Sequence, residues 1–335
     1  MDLSIIIINY KSAHHVLACV ESIYNETKDH SFEIIIVDND SKDGSEEKIK
    51  SSFPAIKWIQ TGYNAGFARA NNAGIRKAAG KYVLILNADT IILDGALDKT
   101  LHLFKSTNGI ACGVQLLNTD GSHQISGAHF VHGGLNFLLP LPYLGRFVRH
   151  WGYKLKTRPP SVQTIQEVQE VDWIVGAFLL VKKEVLQKTG LLDEDFFMYA
   201  EEIEWCSRLR KEGKLYLFAE PKIIHLGGGT SSDYYESEEG ENSKNLWNKK
   251  ARQIIVSQML RIRKQYGIAW FLFMLLFLII EIPIFFTGLL IEKIFKGSKS
   301  KYSFDHLSGY LINLLYLGKY VPKIINNKPF FYKVY

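Results

Sequence analysis

Short apolar runs alternate with segments of helical periodicity along the first third of the chain. The run at residues 3–9 is rich in β-branched residues and predicts a buried strand, and the runs at 32–37, 56–59 and 82–86 predict further strands. A helical pattern follows the first run up to about Asn25, and another helix is predicted at 66–79. Strands that alternate with such helices are typical of a mostly parallel sheet with helices on both faces. The pattern therefore predicts an α/β fold.

A polar residue lies at or just beyond the carboxyl end of each predicted strand: Asn9, Asp38, Asn64 and Asp89. One such residue is readily explained as the cap of the following helix, because Asn and Asp accept hydrogen bonds from helix N-termini. Ligands of open α/β sheets, however, bind outside the carboxyl ends of the strands. Four polar residues in succession favour a binding site over capping alone.

The middle of the chain is less regular. Four prolines and scattered aromatic residues at 120–165 predict a long loop or lid over the site. Strand patterns return at 171–181 and 215–218, and a helix is predicted at 183–188. We predict one large domain at residues 1–250, with halves at about 1–115 and 116–250.

The C-terminal segment is the most apolar part of the chain. Residues 268–291 contain one charged residue, Glu281, and are long enough to span a bilayer, although Pro283 interrupts them. From Lys293 onward eight lysines accompany one acid, a net charge of +7, and a single crossing would place this charge outside, against the positive-inside tendency. We predict a membrane-associating tail at 251–335, with a broken helix lying in one leaflet and a second interfacial helix at 306–325. A buried packing helix is the alternative.

Composition and charge argue against several classes of protein, including nucleic-acid-binding and disulfide-rich proteins. The 335 residues carry a net charge of +6, so residues 1–292 are close to neutral and do not suggest a nucleic-acid partner. Cys19, Cys112 and Cys206 lie far apart, which argues against a disulfide framework or a zinc site and favours the reduced cytosol. The first eight residues lack the basic start of a signal peptide and predict a strand.

Two acidic segments carry the candidate chemistry. Asp89 suits a divalent cation that also binds a diphosphate, because Mg²⁺ usually takes one or two protein carboxylates. Glu201, Glu202 and Glu204 lie among aromatic residues, where a carboxylate is suited to proton transfer. A solvated helix start is the alternative for these three. His225 follows a strand and precedes a run of glycines, which makes it a candidate ligand.

Six short motifs stand out along the first two thirds of the chain. They are Ile-Ile-Asn-Tyr (7–10), Val-Asp-Asn-Asp-Ser-Lys-Asp-Gly-Ser (37–45), Asn-Ala-Gly-Phe-Ala-Arg-Ala-Asn-Asn (64–72), Leu-Asn-Ala-Asp-Thr (86–90), Gly-Ala-Phe-Leu-Leu (176–180) and Phe-Phe-Met-Tyr-Ala-Glu-Glu-Ile-Glu-Trp-Cys-Ser-Arg-Leu (196–209). In this order they resemble the motifs of the family 2 inverting glycosyltransferases, and most closely those of the rhamnosyltransferase-like branch. The resemblance covers about residues 3–232.

The resemblance implies that the domain at 1–250 has a GT-A fold that binds a nucleotide-sugar and a divalent metal, Mg²⁺ or Mn²⁺. The half at about 1–115 would bind the nucleotide-sugar, and the half at about 116–250 would bind the acceptor. Asp38 would hold the nucleobase, and Arg69 or Asn72 would lie near the phosphates. Asp89 matches the second acid of the family's DXD metal motif, and His225 matches a histidine that can complete the metal shell. The positions that match the nucleotide-sugar site are Asn9, Asp38, Asn64, Gly66, Arg69, Asn72 and Asn87.

The resemblance also implies a general base near the acceptor. Glu202 matches the base by position, but the family's acidic pair is Glu-Asp, so Glu201 is the alternative. Trp173, Gly176 and Glu204 match the border of the acceptor or sugar pocket. A carboxylate that removes the acceptor proton during a single displacement gives inversion at the anomeric carbon.

The resemblance implies an inverting sugar transfer in bacterial cell-surface glycan synthesis, and together with the apolar tail it predicts a lipid-linked oligosaccharide or polysaccharide acceptor at the cytoplasmic face of the plasma membrane. Rhamnose from dTDP-rhamnose is the first choice of donor sugar, ahead of galactofuranose or N-acetylhexosamine from a UDP-sugar. A nucleotidyltransferase would carry a glycine-rich loop at residues 9–12, where this chain has no glycine. An inactive membrane-bound scaffold is the alternative of another class, and the intact Asp38, Asp89, Glu202 and His225 argue against it.

Overall fold

The computed structural model describes residues 1–154, 160–227 and 245–334. Its contacts divide the chain into two compact units. The sheet unit comprises Met1–His129, Ser161–Phe197 and Glu201–Ser231, and the helical unit comprises Phe130–Pro160, Met198–Ala200 and Ser232–Tyr335. The glycine run after His225 lies, beyond Gly227, outside the described residues. The domain boundary at residue 250 stays a prediction.

The sheet unit contains one large and one small sheet. Its strands, as far as they are described, are β1 (Leu3–Asn9), β2 (Phe32–Asp38), β3 (Lys57–Gln60), β4 (Tyr82–Leu86), β5 (Thr90–Ile92), β6 (Ala111–Leu117), β7 (Gly127–Ala128), β8 (Ser161–Val162), β9 (Val168–Val171), β10 (Trp173–Ile174), β11 (Phe178–Lys182) and β12 (Leu215–His225). The large sheet has the order β3-β2-β1-β4-β11-β6-β12-β5, with β9 also paired to β12. Of these nine strands, β5, β9 and β11 run against the other six, so the sheet is mostly parallel.

Helices occur in both units. Those of the sheet unit are α1 (Ala13–Glu26), α2 (Ser45–Ser52), α3 (Gly66–Lys77), α4 (Ala96–Lys105), α6 (Leu186–Thr189) and α7 (Glu201–Leu209), with a 3₁₀ turn at Lys183–Val185. Those of the helical unit are α5 (Leu144–Lys154), α8 (Lys249–Tyr266), α9 (Ile268–Lys296) and α10 (Phe304–Asn326), with 3₁₀ turns at His132–Leu138 and Gly297–Lys299.

The parallel strands bring their polar ends to one edge of the sheet. β1 pairs with β2 on one side and with β4 on the other, and its residues Ile5, Ile6 and Ile7 are buried, so both faces of the strand are covered. In this register Asn9 lies opposite Asp38, and Ile7 lies opposite Leu86. The loop that carries Asp89 therefore starts beside the loops that follow β1 and β2.

Two expectations about the less regular segments are wrong. The loop predicted at 120–165 contains β7, a 3₁₀ turn, α5 and β8, because its prolines lie between these elements and do not interrupt them. The predicted break in the apolar helix is absent, since α9 continues through Pro283. Within the described residues, α9 is the one helix with the length and composition to cross a membrane. Of its most apolar 18-residue stretch, 28% is buried in the protein. Length and composition alone do not separate a membrane helix from a core helix.

Candidate functional site

The carboxylate of Asp38 is held by hydrogen bonds at the sheet edge. Its Oδ1 accepts from Nδ2 of Asn9 (2.6 Å) and from Oγ of Ser41 (2.5 Å), and its Oδ2 accepts from the main-chain N–H of Ser41 (3.1 Å). All three residues are buried. An ionised carboxylate has about four acceptor positions, so Oδ2 keeps capacity for one ligand donor. Asn9 and Ser41 thus orient a carboxylate that can still bind an N–H group.

The loop that precedes α3 is fixed by two asparagine side chains. Asn39 accepts from the main-chain N–H of Ala65 (2.8 Å) and donates to Oδ1 of Asn64 (3.1 Å). Oδ1 of Asn64 also accepts from the N–H of Gly66 (3.1 Å). This network joins the end of β2 to the start of α3.

Gly66 permits a close main-chain approach. Its φ of +72° lies in the left-handed region, and a Cβ at this position would collide with the carbonyl oxygen of Phe197. The next residue, Phe67, donates its N–H to the same carbonyl (2.7 Å). The structure therefore gives Gly66 a packing role, and its contact with the nucleotide stays a prediction.

Arg69 and Asn72 bind the segment that precedes α7. Nε of Arg69 donates to the carbonyl of Glu194 (2.9 Å). The buried Asn72 donates to the carbonyl of Leu192 (2.9 Å) and to Oε1 of Glu194 (3.0 Å), and it accepts from the N–H of Leu192 (3.1 Å). The amide of Asn72 thus positions residues 192–194, and a phosphate contact by either residue stays a prediction.

Asn87, Asp89 and His225 come together where β4 and β12 end. Nε2 of His225 lies 3.3 Å from Nδ2 of Asn87 and 3.6 Å from Oδ1 of Asp89. Its Nδ1 lies 2.9 Å from Oε1 of Gln124. The amide nitrogen of Gln124 donates to the carbonyl of His225 (2.6 Å) and to Oδ1 of Asn118 (2.7 Å), so the oxygen must face Nδ1. The network therefore assigns the proton of His225 to Nδ1, and the lone pair of Nε2 accepts from Nδ2 of Asn87 beside the Asp89 carboxylate.

This arrangement fits a divalent cation. Burial lowers the pKa of His225, although the Asp89 carboxylate opposes the shift, so the neutral ring is favoured. A neutral Nε2 beside a carboxylate oxygen supplies two donor atoms for one cation, and an Nδ1–H donated to a side-chain oxygen commonly supports a metal-bound histidine. Among the described residues, no group of three or more His, Cys, Asp or Glu side chains is placed so that it could hold a metal ion by itself. The other ligands would therefore come from the diphosphate and water.

The turn between β10 and β11 joins this cluster to α7. The main-chain N–H of Asn87 donates to the carbonyl of Ala177 (3.0 Å). A Cβ on the neighbouring Gly176 would lie 3.7 Å from Cβ of Glu202 and 3.5 Å from Cζ of Phe67. One turn is therefore hydrogen-bonded to the loop that carries Asn87 and Asp89 and lies next to the candidate base, Glu202.

The three glutamates of α7 have different surroundings. Glu201 and Glu204 are buried, whereas Glu202 is partly exposed. Glu204 accepts from Nε of Arg208 (2.9 and 3.1 Å) and from Nη2 of Arg208 (2.7 Å), and the same Nη2 donates to the carbonyl of Leu191 (2.8 Å). Glu204 thus helps to fix α7 through Arg208, while Glu202 combines exposure with proximity to Gly176.

Trp173 contributes an indole N–H to this region. It lies opposite Ala128 in the small sheet. Its Nε1 is buried and has no hydrogen-bond partner among the described residues. Because leaving such a donor unpaired is unfavourable, an oxygen atom of a ligand would stabilise it. The pocket role of Trp173 stays a prediction that this geometry permits.

Four residues of the site were not predicted. Three of them, Asn39, Ser41 and Phe67, lie inside two of the six motifs, next to residues that were predicted to belong to the site. Gln124 lies 101 residues before His225 in a segment without a clear pattern. No local pattern in the sequence indicates which amide side chain binds His225.

Comparison with known proteins identifies a family. Residues 4–168 match the model described as Glycosyl transferase family 2. The low-salt glycan biosynthesis hexosyltransferase Agl10 of Haloferax volcanii is 31% identical over 220 residues, which are 63% of this chain and 62% of that protein. The chain therefore matches less than two thirds of this relative's length.

Two bacterial relatives are rhamnosyltransferases by name. The N-acetylglucosaminyl-diphospho-decaprenol L-rhamnosyltransferase of Mycobacterium tuberculosis is 25% identical over 239 residues, 67% of this chain and 75% of that protein. Rhamnosyltransferase WbbL of Escherichia coli is 24% identical over 265 residues, 76% of this chain and 94% of that protein.

A solved structure bears on the fold. The crystal structure of GalNAc-T7 with UDP, GalNAc and Mn²⁺ matches with a TM-score of 0.50 and 16% identity, over 67% of this chain and 43% of that chain. At this identity the likeness concerns the fold alone, and it confirms the predicted GT-A fold. Together, the family model and the named relatives place residues 4–168 in glycosyl transferase family 2, in its rhamnosyltransferase-like branch, as the motifs predicted.

Proposed function

We propose that the chain is an inverting glycosyltransferase that transfers rhamnose from dTDP-rhamnose to a lipid-linked oligosaccharide or polysaccharide. The observation that supports this most is the turn at Gly176 and Ala177, because it accepts a hydrogen bond from Asn87 and lies next to Glu202, and so joins a donor side to an acceptor side. The named activities of the two bacterial relatives favour rhamnose. UDP-linked galactofuranose and N-acetylhexosamine are the competing donor sugars.

Each part of the proposed reaction is assigned to particular residues of the site. Asp38 would bind the nucleobase in the orientation set by Asn9. Asp89 and His225 would hold Mg²⁺ or Mn²⁺, which, when bound, supplies positive charge to the diphosphate leaving group. Glu202 would accept the proton of the acceptor hydroxyl while that oxygen bonds to the anomeric carbon and the bond to the diphosphate breaks. One displacement of this kind inverts the anomeric configuration.

We place the enzyme at the cytoplasmic face of a bacterial plasma membrane, held by the helical unit. The apolar α9 and the net charge of +7 from Lys293 onward suit an anionic leaflet. The name of the mycobacterial relative specifies a diphospho-decaprenol acceptor, which supports a lipid-linked acceptor for this chain. Fractionation tests the location: full-length protein found wholly in the soluble fraction would contradict it.

A donor panel with analysis of product configuration tests the activity. Full-length protein is incubated with Mn²⁺, a lipid-linked acceptor and dTDP-rhamnose, UDP-galactofuranose or UDP-N-acetylglucosamine, and NMR gives the anomeric configuration of the product. We expect inverted product from dTDP-rhamnose. Retention would contradict the mechanism, a UDP-sugar as the better donor would contradict the choice of rhamnose, and no transfer from any donor would favour a scaffold.

A variant of Asp89 and a matched control test whether Asp89 is a metal ligand. Asp89→Asn should abolish transfer and the Mn²⁺-dependent part of donor binding, because the cation loses its carboxylate ligand. Asp94→Asn, at an exposed residue in the turn after β5, is the matched control. Full activity of Asp89→Asn in EDTA would contradict a metal-dependent reaction.

A further inference from the structure

We propose that α5 is a second membrane-contacting element, which places Phe147 and Trp151 in the interface of an anionic bilayer beside α9. The proposal rests on the membrane location given above and assigns a surface to that contact. It concerns Leu144–Lys154, a segment for which the sequence pattern predicted a loop.

The exposed surface of α5 combines aromatic and basic side chains. Phe147 is 61% exposed and Trp151 is 47% exposed, and their four-residue spacing puts them on one helix face with ring centroids 6.0 Å apart. Nζ of Lys154 lies 5.1 Å from the ring centroid of Trp151. The other exposed residues described in α5 are Arg146, Arg149 and His150. Bulky apolar side chains beside cations, without an acid, are typical of helices that lie in the headgroup region of anionic membranes.

Glu281 attaches the start of α5 to the middle of α9. Its carboxylate is fully buried and accepts from the main-chain N–H groups of Tyr143 (2.8 Å) and Leu144 (3.1 Å). The first N–H groups of a helix lack partners within the helix, and a negative charge there is favourable. The one charged residue of the apolar stretch at 268–291 therefore binds the start of a neighbouring helix.

This attachment limits how α9 can meet a bilayer. A helix of 29 residues is about 43 Å long, and if α9 crossed the membrane, Glu281 would lie near the centre of the hydrocarbon. The start of α5 would then lie at the same depth, with Arg146 only two residues further on. A cation at that depth is strongly unfavourable. Both helices can instead contact one leaflet at its surface, with the exposed apolar side chains of α9 and the aromatic pair of α5 in the interface.

An introduced cysteine can measure the depth of α5, because Cys19, Cys112 and Cys206 are all buried. Full-length Phe147→Cys is labelled with a polarity-sensitive fluorophore and reconstituted with vesicles of phosphatidylglycerol and phosphatidylcholine. Spin labels at the upper acyl chain or at the chain end serve as quenchers. Val168→Cys is the matched control, because Val168 is 48% exposed and lies on β9 of the sheet unit. We expect this unit to face water, since its nucleotide-sugar donor is water-soluble.

We expect a blue-shifted label at position 147 that upper-chain spin labels quench more than chain-end ones, and little quenching at 168. Quenching at 147 should weaken when phosphatidylcholine replaces phosphatidylglycerol or when salt is added. Equal, weak quenching at both positions in vesicle-bound protein would overturn the role of α5 and leave the membrane location standing. Stronger quenching by chain-end labels would overturn the surface arrangement, and no change without phosphatidylglycerol would overturn the preference for anionic lipid. Protein that does not float with vesicles at all would contradict the membrane location itself.

Discussion

The main-chain N–H of Asn87 donates a 3.0 Å hydrogen bond to the carbonyl oxygen of Ala177. This bond joins the loop that carries Asp89 to the turn between β10 and β11. Gly176, the residue before Ala177 in that turn, lies next to Glu202. β11 starts directly after the turn and pairs with β4 along its length, so the turn has little freedom to move. We therefore expect conservative changes at Glu202 to act on the chemistry without disturbing the Asp89–His225 pair.

The first prediction concerns the base. Glu202→Gln keeps the size of the side chain but cannot accept the acceptor proton, so turnover should fall about 10²–10⁴-fold while the donor Kd changes little. Steady-state transfer and donor titration measure the two quantities. Glu201→Gln is the control, since Glu201 is the buried neighbour. Normal turnover of Glu202→Gln together with a large loss in Glu201→Gln would move the base to Glu201.

The second prediction concerns Gln124. Gln124→Leu removes the acceptor for Nδ1–H of His225, so the ring loses its fixed orientation and Mn²⁺ affinity should fall about 10–100-fold. Gln124→Glu keeps an acceptor and should recover part of that loss. Titration calorimetry with Mn²⁺ and donor measures both. Gln163→Leu, at an exposed glutamine, is the control. Unchanged affinity in Gln124→Leu would show that Gln124 does not support a metal ligand.

Sequence reasoning located the parts of the site that depend on local pattern. β1, β2 and β4 were predictable because each is a short, mostly buried apolar run, and Asn9 and Asp38 end the first two. β3 is partly exposed, and its prediction depended on a run of only four residues. The contact of Gln124 with His225 was not predictable, because it forms between β12 and a segment distant in sequence. The role of Glu281 was hidden for the same reason: its partners are main-chain groups of Tyr143 and Leu144, which any residue type could supply.

The third prediction compares two glycines. Gly66→Ala should destabilise the protein by about 1–2 kcal/mol for the left-handed backbone, and by about 1–3 kcal/mol more for the collision with the carbonyl of Phe197. Gly62→Ala is the matched control, because Gly62 has a φ of +76° and no atom within 4 Å of the added Cβ. Urea unfolding of both variants separates the two contributions. Equal losses in both would show that the approach to Phe197 adds no steric cost.

The last prediction concerns the pH dependence of stability through Glu194. Burial alone would raise the pKa of Glu194, but hydrogen bonds from Arg76 and Asn72 and the charge of Arg69 outweigh burial and hold the pKa below its usual value. An acid with a lowered pKa stabilises the folded state above its ordinary pKa of about 4.3, and this contribution is lost as the pH falls through the lowered value.

Wild-type protein should therefore lose more free energy of unfolding between neutral and acidic pH than Glu194→Gln, which has no proton to bind at this position. The difference should be small, because the side chain is 41% exposed and solvent screens its pairing with Arg76. Urea unfolding at several pH values measures it, and Glu47→Gln, at an exposed residue of α2, is the control. Identical pH profiles for wild type and Glu194→Gln would contradict the prediction, and they would indicate that Asn72 and Arg69 hold residues 192–194 without help from the ionised carboxylate.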